Sequence, residues 1–255
     1  MIGRLVRERR AGAGEGEDFL QTLLEARYSD GSALDDEIIT GLLLAIVFAG
    51  QHTSAILSTW TGLLLFQHPE HLASLRAEQA EVFGSCAEMS LPALGRLEML
   101  ERCIKEAERM HPPLVVLMRK ILRDFAYGDC VVPAGELALV SPAVSHRLPE
   151  VFRDADRYDP DRFGPARQED RATKYSLIAF GGGRHRCIGS TFAYQQIKVI
   201  WSTLLQRFDF TTSTARPGPD YSTFVVGPRP PCRVGYRLRA DGNLRRRAVG
   251  IQPAT

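Results

Sequence analysis

The sequence has few cysteines for its length, and nothing in their arrangement indicates a disulfide framework or a structural zinc site. Five occur in 255 residues, and no two are spaced as Cys-x-x-Cys. They are Cys86, Cys103, Cys130, Cys187 and Cys232. An odd number without paired spacing is typical of a protein from a reducing compartment.

An excess of charge of either sign is also absent. Lys and Arg total 32 against 30 Asp and Glu, a net charge of +2, which argues against a nucleic-acid partner. The longest uncharged apolar stretch, residues 41–51, is shorter than the roughly 20 residues that a membrane helix needs. The basic residues at 4–10 precede Gly and Glu rather than the apolar core of a signal peptide. We therefore expect a cytoplasmic protein.

The pattern of apolar residues predicts a mainly α fold with small β-sheets (α+β). Apolar residues at helical spacing predict several helices, and short β-rich runs between turn residues predict strands. The predicted helices are residues 18–28, 35–66, 69–83, 97–110 and 190–208. The predicted strands are residues 115–122, 125–127, 130–132 and 136–140, with a hairpin at 221–238. Residues 1–17 are expected to be a flexible basic lead and residues 240–255 a flexible tail.

One cysteine stands out from the others because of its neighbours. Cys187 follows a run of three glycines and lies between Arg186 and the predicted start of a helix. Glycines let the backbone approach a ligand closely, and a helix N-terminus favours an anionic sulfur. Cys187 is therefore a candidate ligand. Two alternatives are an inert buried cysteine beside a tight turn and a phosphate-binding loop; the latter lacks the Lys and Ser/Thr of a P-loop.

The stretch Phe180-Gly-Gly-Gly-Arg-His-Arg-Cys-Ile-Gly189 resembles the haem-ligating signature of the cytochrome P450 superfamily. Phe180, Gly183, Cys187 and Gly189 match its fixed positions. His185 stands where most of the superfamily has Arg, and this departure resembles the sterol 14α-demethylase branch. The resemblance implies haem b, with Cys187 as the axial ligand and His185 at a haem propionate. Gly181 would belong to the same cofactor-binding loop.

Two further motifs occur in the order that the superfamily has. Glu106-Ala-Glu-Arg109 matches Glu-x-x-Arg, in which side chains at i and i+3 of a helix can pair. Such pairs alone are usually surface features. Arg162, in Pro160-Asp-Arg-Phe163, resembles the third member of the family's buried Glu/Arg/Arg network. A buried carboxylate needs partners of this kind.

The long predicted helix carries Ala49-Gly-Gln-His-Thr-Ser54, which again resembles the sterol demethylase branch. Gly50 costs a helix about 1 kcal/mol relative to Ala, which is understandable if bare backbone faces a ligand. The resemblance implies that Thr53 hydrogen-bonds the dioxygen substrate, that His52 relays protons and that Ala49 faces the substrate. The alternatives are a packing glycine and a polar pair on a core helix.

Residues 111–119 and a later turn also resemble that branch. The resemblance implies a substrate cavity lined by Leu114, Leu117, Met118, Phe224 and Val225. Arg119 would contact a haem propionate.

The resemblance implies a haem-thiolate monooxygenase that oxidises a sterol-like apolar substrate, with electrons from a ferredoxin or a flavoprotein reductase. It covers residues 18–239, which we expect to be the haem-ligating portion of a single partial domain. The family's chain is longer, so we expect a truncated or split enzyme with a missing N-terminal half. Two alternatives remain: a haem-binding fragment that cannot catalyse, and a non-enzymatic remnant or partner subunit.

Overall fold

The computed structural model describes residues 1–12, 16–84, 89–212 and 217–239. The predicted tail at 240–255 and Cys86 lie outside these residues. The helices are α1 Ile2–Arg10, α2 Phe19–Glu25, α3 Asp36–Gln67, α4 Pro69–Phe83, α5 Leu91–Gly95, α6 Glu98–Met110, α7 Pro142–Ser145, α8 Glu169–Ala172 and α9 Ser190–Arg207. The strands are β1 Leu117–Lys120, β2 Phe125–Tyr127, β3 Cys130–Val132, β4 Leu137–Val140, β5 Phe208–Thr212, β6 Pro219–Asp220, β7 Gly227–Pro228 and β8 Val234–Leu238. The predicted α-rich fold with small sheets is confirmed.

The chain divides into two compact units, Met1–Ala55 and Ile56–Thr255. In the first unit the expectation of a flexible lead at residues 1–17 is wrong, because α1 occupies most of it. Ile2, Leu5 and Val6 share one face of that helix at i, i+3 and i+4, and Val6 is fully buried. The basic residues also find partners, since Arg10 Nε pairs with the Asp36 carboxylate at 2.7 Å.

Helix α3 runs for 32 residues, close to the predicted span. Asp35 accepts the backbone N–H of Ile38 at its start, as a capping residue does. By composition and length, α3 is sufficient to span a membrane. The prediction that the chain has no apolar stretch long enough for a membrane helix is therefore not confirmed. Large apolar side chains of its first half are exposed, Phe48 by 79%.

The core of the second unit forms where the last turns of α3 meet α4, α6 and α9. Trp60, Leu64, Ile104, Ile197 and Trp201 are all buried there. Helices α3 and α9 pack closely at Gly62, where an added Cβ would lie 2.0 Å from the Trp201 ring. Only glycine permits that approach, and the Trp201 indole N–H then donates to the Ser58 carbonyl at 3.0 Å.

The strands form four two-stranded antiparallel sheets. Strands β1 and β4 pair with Leu117 opposite Val140. The chain between them contains the hairpin of β2 and β3. The predicted hairpin at 221–238 is wrong. Strand β8 pairs with β5, placing Leu238 opposite Phe208, while β6 and β7 form a separate small pair. The aromatic side chains of β5 and β8 contact each other, which favours this distant pairing over the local one.

Candidate functional site

A fully buried ion network lies between α6 and the irregular segment that follows β4. Glu106, Arg109 and Arg162 are each 0% exposed. Arg109 Nε donates to Glu106 Oε2 at 2.7 Å, and Arg162 Nε donates to both carboxylate oxygens at 3.0 and 3.1 Å. The backbone N–H of Asp159 adds a further bond to Oε1 at 2.9 Å. The carboxylate is therefore compensated on every side, as burial of a charge requires.

The remaining donors of the two arginines hold the irregular segment in place. Arg109 Nη1 donates to the His146 carbonyl at 2.9 Å. Arg162 donates to the carbonyls of Arg153 and Arg157 at 2.8 and 3.1 Å, and to the Glu169 carboxylate at 2.7 Å. Backbone without regular structure needs such partners when it is buried. The network thus fixes residues 146–169 against α6.

A buried histidine connects this network to the glycine-rich loop. His146 Nε2 accepts the backbone N–H of Ile178 at 2.9 Å, while Nδ1 lies 3.2 Å from the Arg109 carbonyl oxygen. Ile178 in turn accepts the N–H of Gly181 at 2.8 Å. The start of the loop is therefore tied to α6 through one imidazole ring.

The loop that presents Cys187 is a tight turn closed by its own backbone. The Cys187 N–H donates to the Phe180 carbonyl at 2.7 Å, and His185 N–H donates to Gly182. Gly181 and Gly183 have φ of +70° and +58°. A Cβ at Gly181 would lie 2.7 Å from the His185 carbonyl oxygen, so this position requires glycine on both grounds.

Cys187 lies exposed at the end of the loop, two residues before the N-cap of α9. Its neighbours Ile188 and Phe192 are exposed by 75% and 70%. Among the described residues no group of three His, Cys, Asp or Glu converges that could hold a bare metal ion. A single thiol near exposed apolar side chains fits a haem, because the porphyrin ring already holds the iron and presents a flat, apolar surface.

The predicted oxygen-side residues lie in the first compact unit, on α3. Thr53 Oγ1 donates to the Ala49 carbonyl at 2.7 Å, and His52 is exposed. Among the described residues, apart from its own helix backbone and chain neighbours, nothing lies within 4 Å of the position that a Cβ at Gly50 would take. The helix backbone is therefore bare at this point.

The predicted cavity residues come from two segments that the structure brings together. The Val226 N–H donates to the Pro113 carbonyl at 2.8 Å, which places Val225 close to Leu114. Phe224 is exposed. Along β1 the burial alternates, so Leu117 and Arg119 share the more buried face and Met118 lies on the other. Arg119 Nη1 donates locally, to the Met118 carbonyl at 2.8 Å.

Sequence reasoning missed several buried polar residues around the loop. His146, Glu108 and Lys198 are at most 3% exposed, and Tyr194 bonds the Glu108 carboxylate. Lys198 reaches the Leu94 carbonyl and the Glu101 carboxylate from α9. The available signal was helical spacing: Glu108 and Lys198 each fall on the apolar face of an otherwise amphipathic helix. His146 lies in a segment without periodicity and gave no such signal.

Comparison with known proteins identifies the class. Residues 2–234 match the family described as Cytochrome P450. The structure is similar to a retinoic acid bound cyanobacterial cytochrome P450, with a TM-score of 0.83 and 25% identity over 93% of this chain and 54% of that one. The chain belongs to the cytochrome P450 family.

Within that family the chain is similar to sterol 14-demethylases. It is 40% identical to obtusifoliol 14-alpha demethylase of Sorghum bicolor and 41% identical to sterol 14-demethylase of Arabidopsis thaliana, each over 94% of this chain. It is 36% identical to lanosterol 14-alpha demethylase of Homo sapiens over 93% of this chain. The chain spans about half the length of these relatives, 50%, 50% and 47% respectively.

Proposed function

We propose that this chain is the haem-ligating part of a haem-thiolate monooxygenase, with haem b bound through the sulfur of Cys187. The observation that carries the proposal is the closed Cys187 loop. It presents one exposed thiol and is tied through His146 to a fully buried Glu106–Arg109–Arg162 network. Rigid support of this kind is what an axial ligand requires.

The chain's residues would hold and orient the cofactor, which itself supplies oxygen activation when bound. Gly181 and Gly183 keep the loop free of side chains that would block close approach. His185 is exposed beside the thiol, and we propose that it and Arg119 contact the propionates. Arg119 would exchange its local bond to the Met118 carbonyl for a charge-assisted one.

Proton delivery would depend on two residues of α3. The Thr53 hydroxyl now donates to the Ala49 carbonyl, a bond that a rotation about χ1 breaks. Rotation would direct the hydroxyl toward the side of the helix where Gly50 leaves the backbone bare. His52 is exposed and can exchange protons with solvent. We propose that the two form a relay between solvent and the dioxygen substrate.

The proposed substrate is a 14α-methyl sterol, and the proposed electron donor is a ferredoxin or a flavoprotein reductase. The relatives are sterol 14-demethylases, and Leu114, Leu117, Met118, Phe224 and Val225 supply the apolar surface that a sterol needs. The exposed apolar side chains of α3, such as Phe48, favour a covering partner, which we propose is an N-terminal half.

We propose that α3 is a core helix of the cytochrome P450 fold rather than a membrane span. Leu57, Trp60 and Leu64 of its second half are buried in the core of the second unit. The polar run Gln51-His52-Thr53-Ser54 interrupts its apolar face. The cytoplasmic location stays a prediction, which fractionation of cells expressing the chain tests.

The decisive experiment is the absorbance spectrum of the purified chain, reconstituted with haem, reduced and exposed to carbon monoxide. A thiolate ligand gives a strongly red-shifted Soret band. Cys187→Ser should abolish that band, whereas Cys130→Ser, at another exposed free cysteine, should leave it unchanged. A red-shifted band that persists in the Cys187 variant would rule out the assigned ligand.

Turnover of a 14α-methyl sterol with a surrogate reductase separates the enzyme from the alternatives. A thiolate-type band with turnover supports the monooxygenase. The band without turnover, restored by adding a separately expressed N-terminal half, supports a split enzyme. The band without turnover under both conditions indicates a haem-binding fragment. No band at all indicates a remnant or partner subunit.

A further inference from the structure

A second carboxylate of α6 is buried outside the ion network. Glu108 is 3% exposed, and it accepts a hydrogen bond at Oε2 from the Tyr194 hydroxyl of α9. Glu106, two residues earlier, has two arginines; within the described part of the chain no ion pair forms to Glu108. Lys105, one turn earlier on the same helix, instead bonds the Asp170 carboxylate at 3.1 Å.

Glu108 borders a cavity of about 710 Å³ that the Cys187 loop also lines. The loop contributes Phe180 and the run of glycines at 181–183 to this lining. The other charged or titratable groups that border it are Glu101 and Lys105 of α6, Asp170 and Tyr175 of the preceding segment, Arg186 of the loop and Tyr194 of α9.

Two contacts connect Tyr194, the hydrogen-bond partner of Glu108, to Cys187. The Tyr194 ring lies 5.8 Å from the Phe180 ring, at an interplanar angle of 44°. The Phe180 carbonyl accepts the Cys187 N–H at 2.7 Å. The hydrogen bond to Glu108 fixes the Tyr194 ring, which packs against the Phe180 ring, and Phe180 closes the turn that carries the thiol.

We propose that Glu108 is a positioning residue for Cys187, acting through Tyr194 and Phe180, and that ionisation of its carboxyl favours opening of the loop. The significance of this role rests on the proposed function of Cys187 as the haem ligand. The chemical reason is that a charge on Glu108 is only weakly compensated, because Lys105, which acts on it, forms its ion pair with Asp170 instead. A neutral carboxyl tolerates the site, whereas a carboxylate gains by admitting water when the loop opens.

The sign of the pH dependence follows from linkage. Burial, opposed in part by the Tyr194 hydrogen bond and by Lys105, raises the pKa of Glu108 to about 7. An open loop that solvates the carboxyl returns its pKa toward the ordinary value of 4.5. The closed loop therefore binds the proton more tightly, and opening becomes more favourable as pH rises from about 4.5 through about 7.

The test uses the hydrogen-exchange rate of the Cys187 backbone N–H in the haem-free chain, measured by peptide mass spectrometry. That N–H is bonded to the Phe180 carbonyl while the turn is closed, so its exchange reports opening of the loop. The rate in the unaltered chain is divided by the rate in Glu108→Gln, which cancels the intrinsic pH dependence of exchange. This ratio should rise about thirtyfold between pH 5.5 and 8, because a neutral amide has no proton to lose. Exchange of the Gly84 N–H, which is bonded to the Ala80 carbonyl of α4, should give a flat ratio.

Three variants and one control separate positioning from general stability. Tyr194→Phe keeps the ring but removes the hydroxyl, and should speed exchange of the Cys187 N–H without changing that of Gly84. Glu108→Leu should do the same, while Glu108→Gln should exchange no faster than the unaltered chain at any pH. The control, Glu98→Gln, at an exposed position of the same helix, should match the unaltered chain. A flat ratio together with unchanged rates in Tyr194→Phe would overturn the proposal.

The haem-loaded chain supplies an independent readout. The reduced, carbon monoxide-bound form of Glu108→Leu should lose its thiolate-type band several times faster than the unaltered chain does. If the unaltered chain gives no such band, the proposed function fails, yet the hydrogen-exchange ratio still decides whether Glu108 positions the loop. If the band is normal and equally stable in every variant, the positioning role fails and the proposed function stands.

Discussion

The backbone N–H of Ile178 donates a hydrogen bond to Nε2 of His146 at 2.9 Å. Nδ1 of the same ring lies 3.2 Å from the Arg109 carbonyl, which can only accept, so Nδ1 carries the proton and the ring is neutral. Burial, reinforced by the charges of Arg109 and Arg147, lowers the pKa of His146 to about 4. One neutral imidazole thus joins the ion network to the segment leading into the Cys187 loop.

Acid should therefore destabilise the second unit. The unfolded chain binds a proton at His146 near pH 6.5 and the folded chain only near 4, so the free energy of unfolding falls as pH falls through this window. The shift corresponds to about 3 kcal/mol. His146→Gln should remove that part of the slope in denaturant titrations, whereas His52→Gln, at an exposed histidine, should retain all of it.

Two other groups affect the same measurement. Burial also lowers the pKa of His111 to about 3, so part of the acid slope should persist without His146. Glu108 gives a slope of opposite sign, since its folded pKa is raised and stability is lost as pH rises to about 7. The comparison is therefore best made in the Glu108→Gln background. An unchanged slope after His146→Gln would contradict the neutral-ring assignment.

Removing the charge of Glu106 should destabilise the fold strongly. Glu106→Gln leaves the buried Arg109 beside a neutral amide and leaves Arg162 with the Glu169 carboxylate, and breaking buried ion pairs in this way costs about 3–5 kcal/mol. The measurement is the midpoint of denaturant unfolding. Glu98→Gln is the matched control, because its pair with Arg102 is solvent-exposed and contributes less than about 1 kcal/mol. Equal effects of the two variants would show that burial of the network contributes nothing.

Alanine at Gly62 should act opposite to the usual helix rule. Glycine to alanine in a helix interior normally stabilises by about 1 kcal/mol. At Gly62 the new Cβ would lie 2.0 Å from Trp201, so overpacking should cost about 1–3 kcal/mol. Gly41→Ala on the same helix should stabilise, because within the part of the chain that the structure describes the new Cβ would meet nothing within 4 Å. Trp201→Leu should reduce the penalty of Gly62→Ala in a double-mutant cycle, and additive effects would argue against the contact.

The exposed apolar face of α3 should make the isolated chain self-associate. Val47 and Phe48 are exposed by 62% and 79%, and neighbouring apolar side chains extend this surface. Phe48→Gln should lower binding of a hydrophobic dye and shift sedimentation toward smaller species, since less apolar area is removed from water on association. Glu37→Gln, exposed near the start of the helix, should leave both readouts unchanged. Unaltered association in the Phe48 variant would show that the exposed face of α3 is not the surface through which the chain self-associates.

The helices could be predicted from sequence because their signals are local. The predicted span at 69–83 coincides with α4, and the ends of α6 and α9 differ by one residue from prediction. Helical periodicity, a proline in the first turn and prolines after Met110 are properties of neighbouring residues. The error at α1 has the same origin, because three apolar residues among arginines gave too weak a pattern to predict a helix.

Strand pairing could not be read in this way. Four of the predicted strands exist, yet the partner of β1 is β4 rather than the neighbouring β2. Strand β8 likewise leaves its local neighbours for β5, where Tyr236 contacts Phe208. Pairing depends on side chains that meet only after the chain has folded, and a local pattern carries no record of them.

The sequence by itself determined the family motifs, the helices and the identity of Cys187 as the candidate ligand. These depend on residue types at fixed short spacings, which chain geometry enforces. Only the tertiary structure decided which polar groups are buried and which residues neutralise them. It gave Glu106 two arginines, His146 two backbone partners and Glu108 a single tyrosine. Burial and compensation are properties of the environment around a side chain, and the folded chain alone creates that environment.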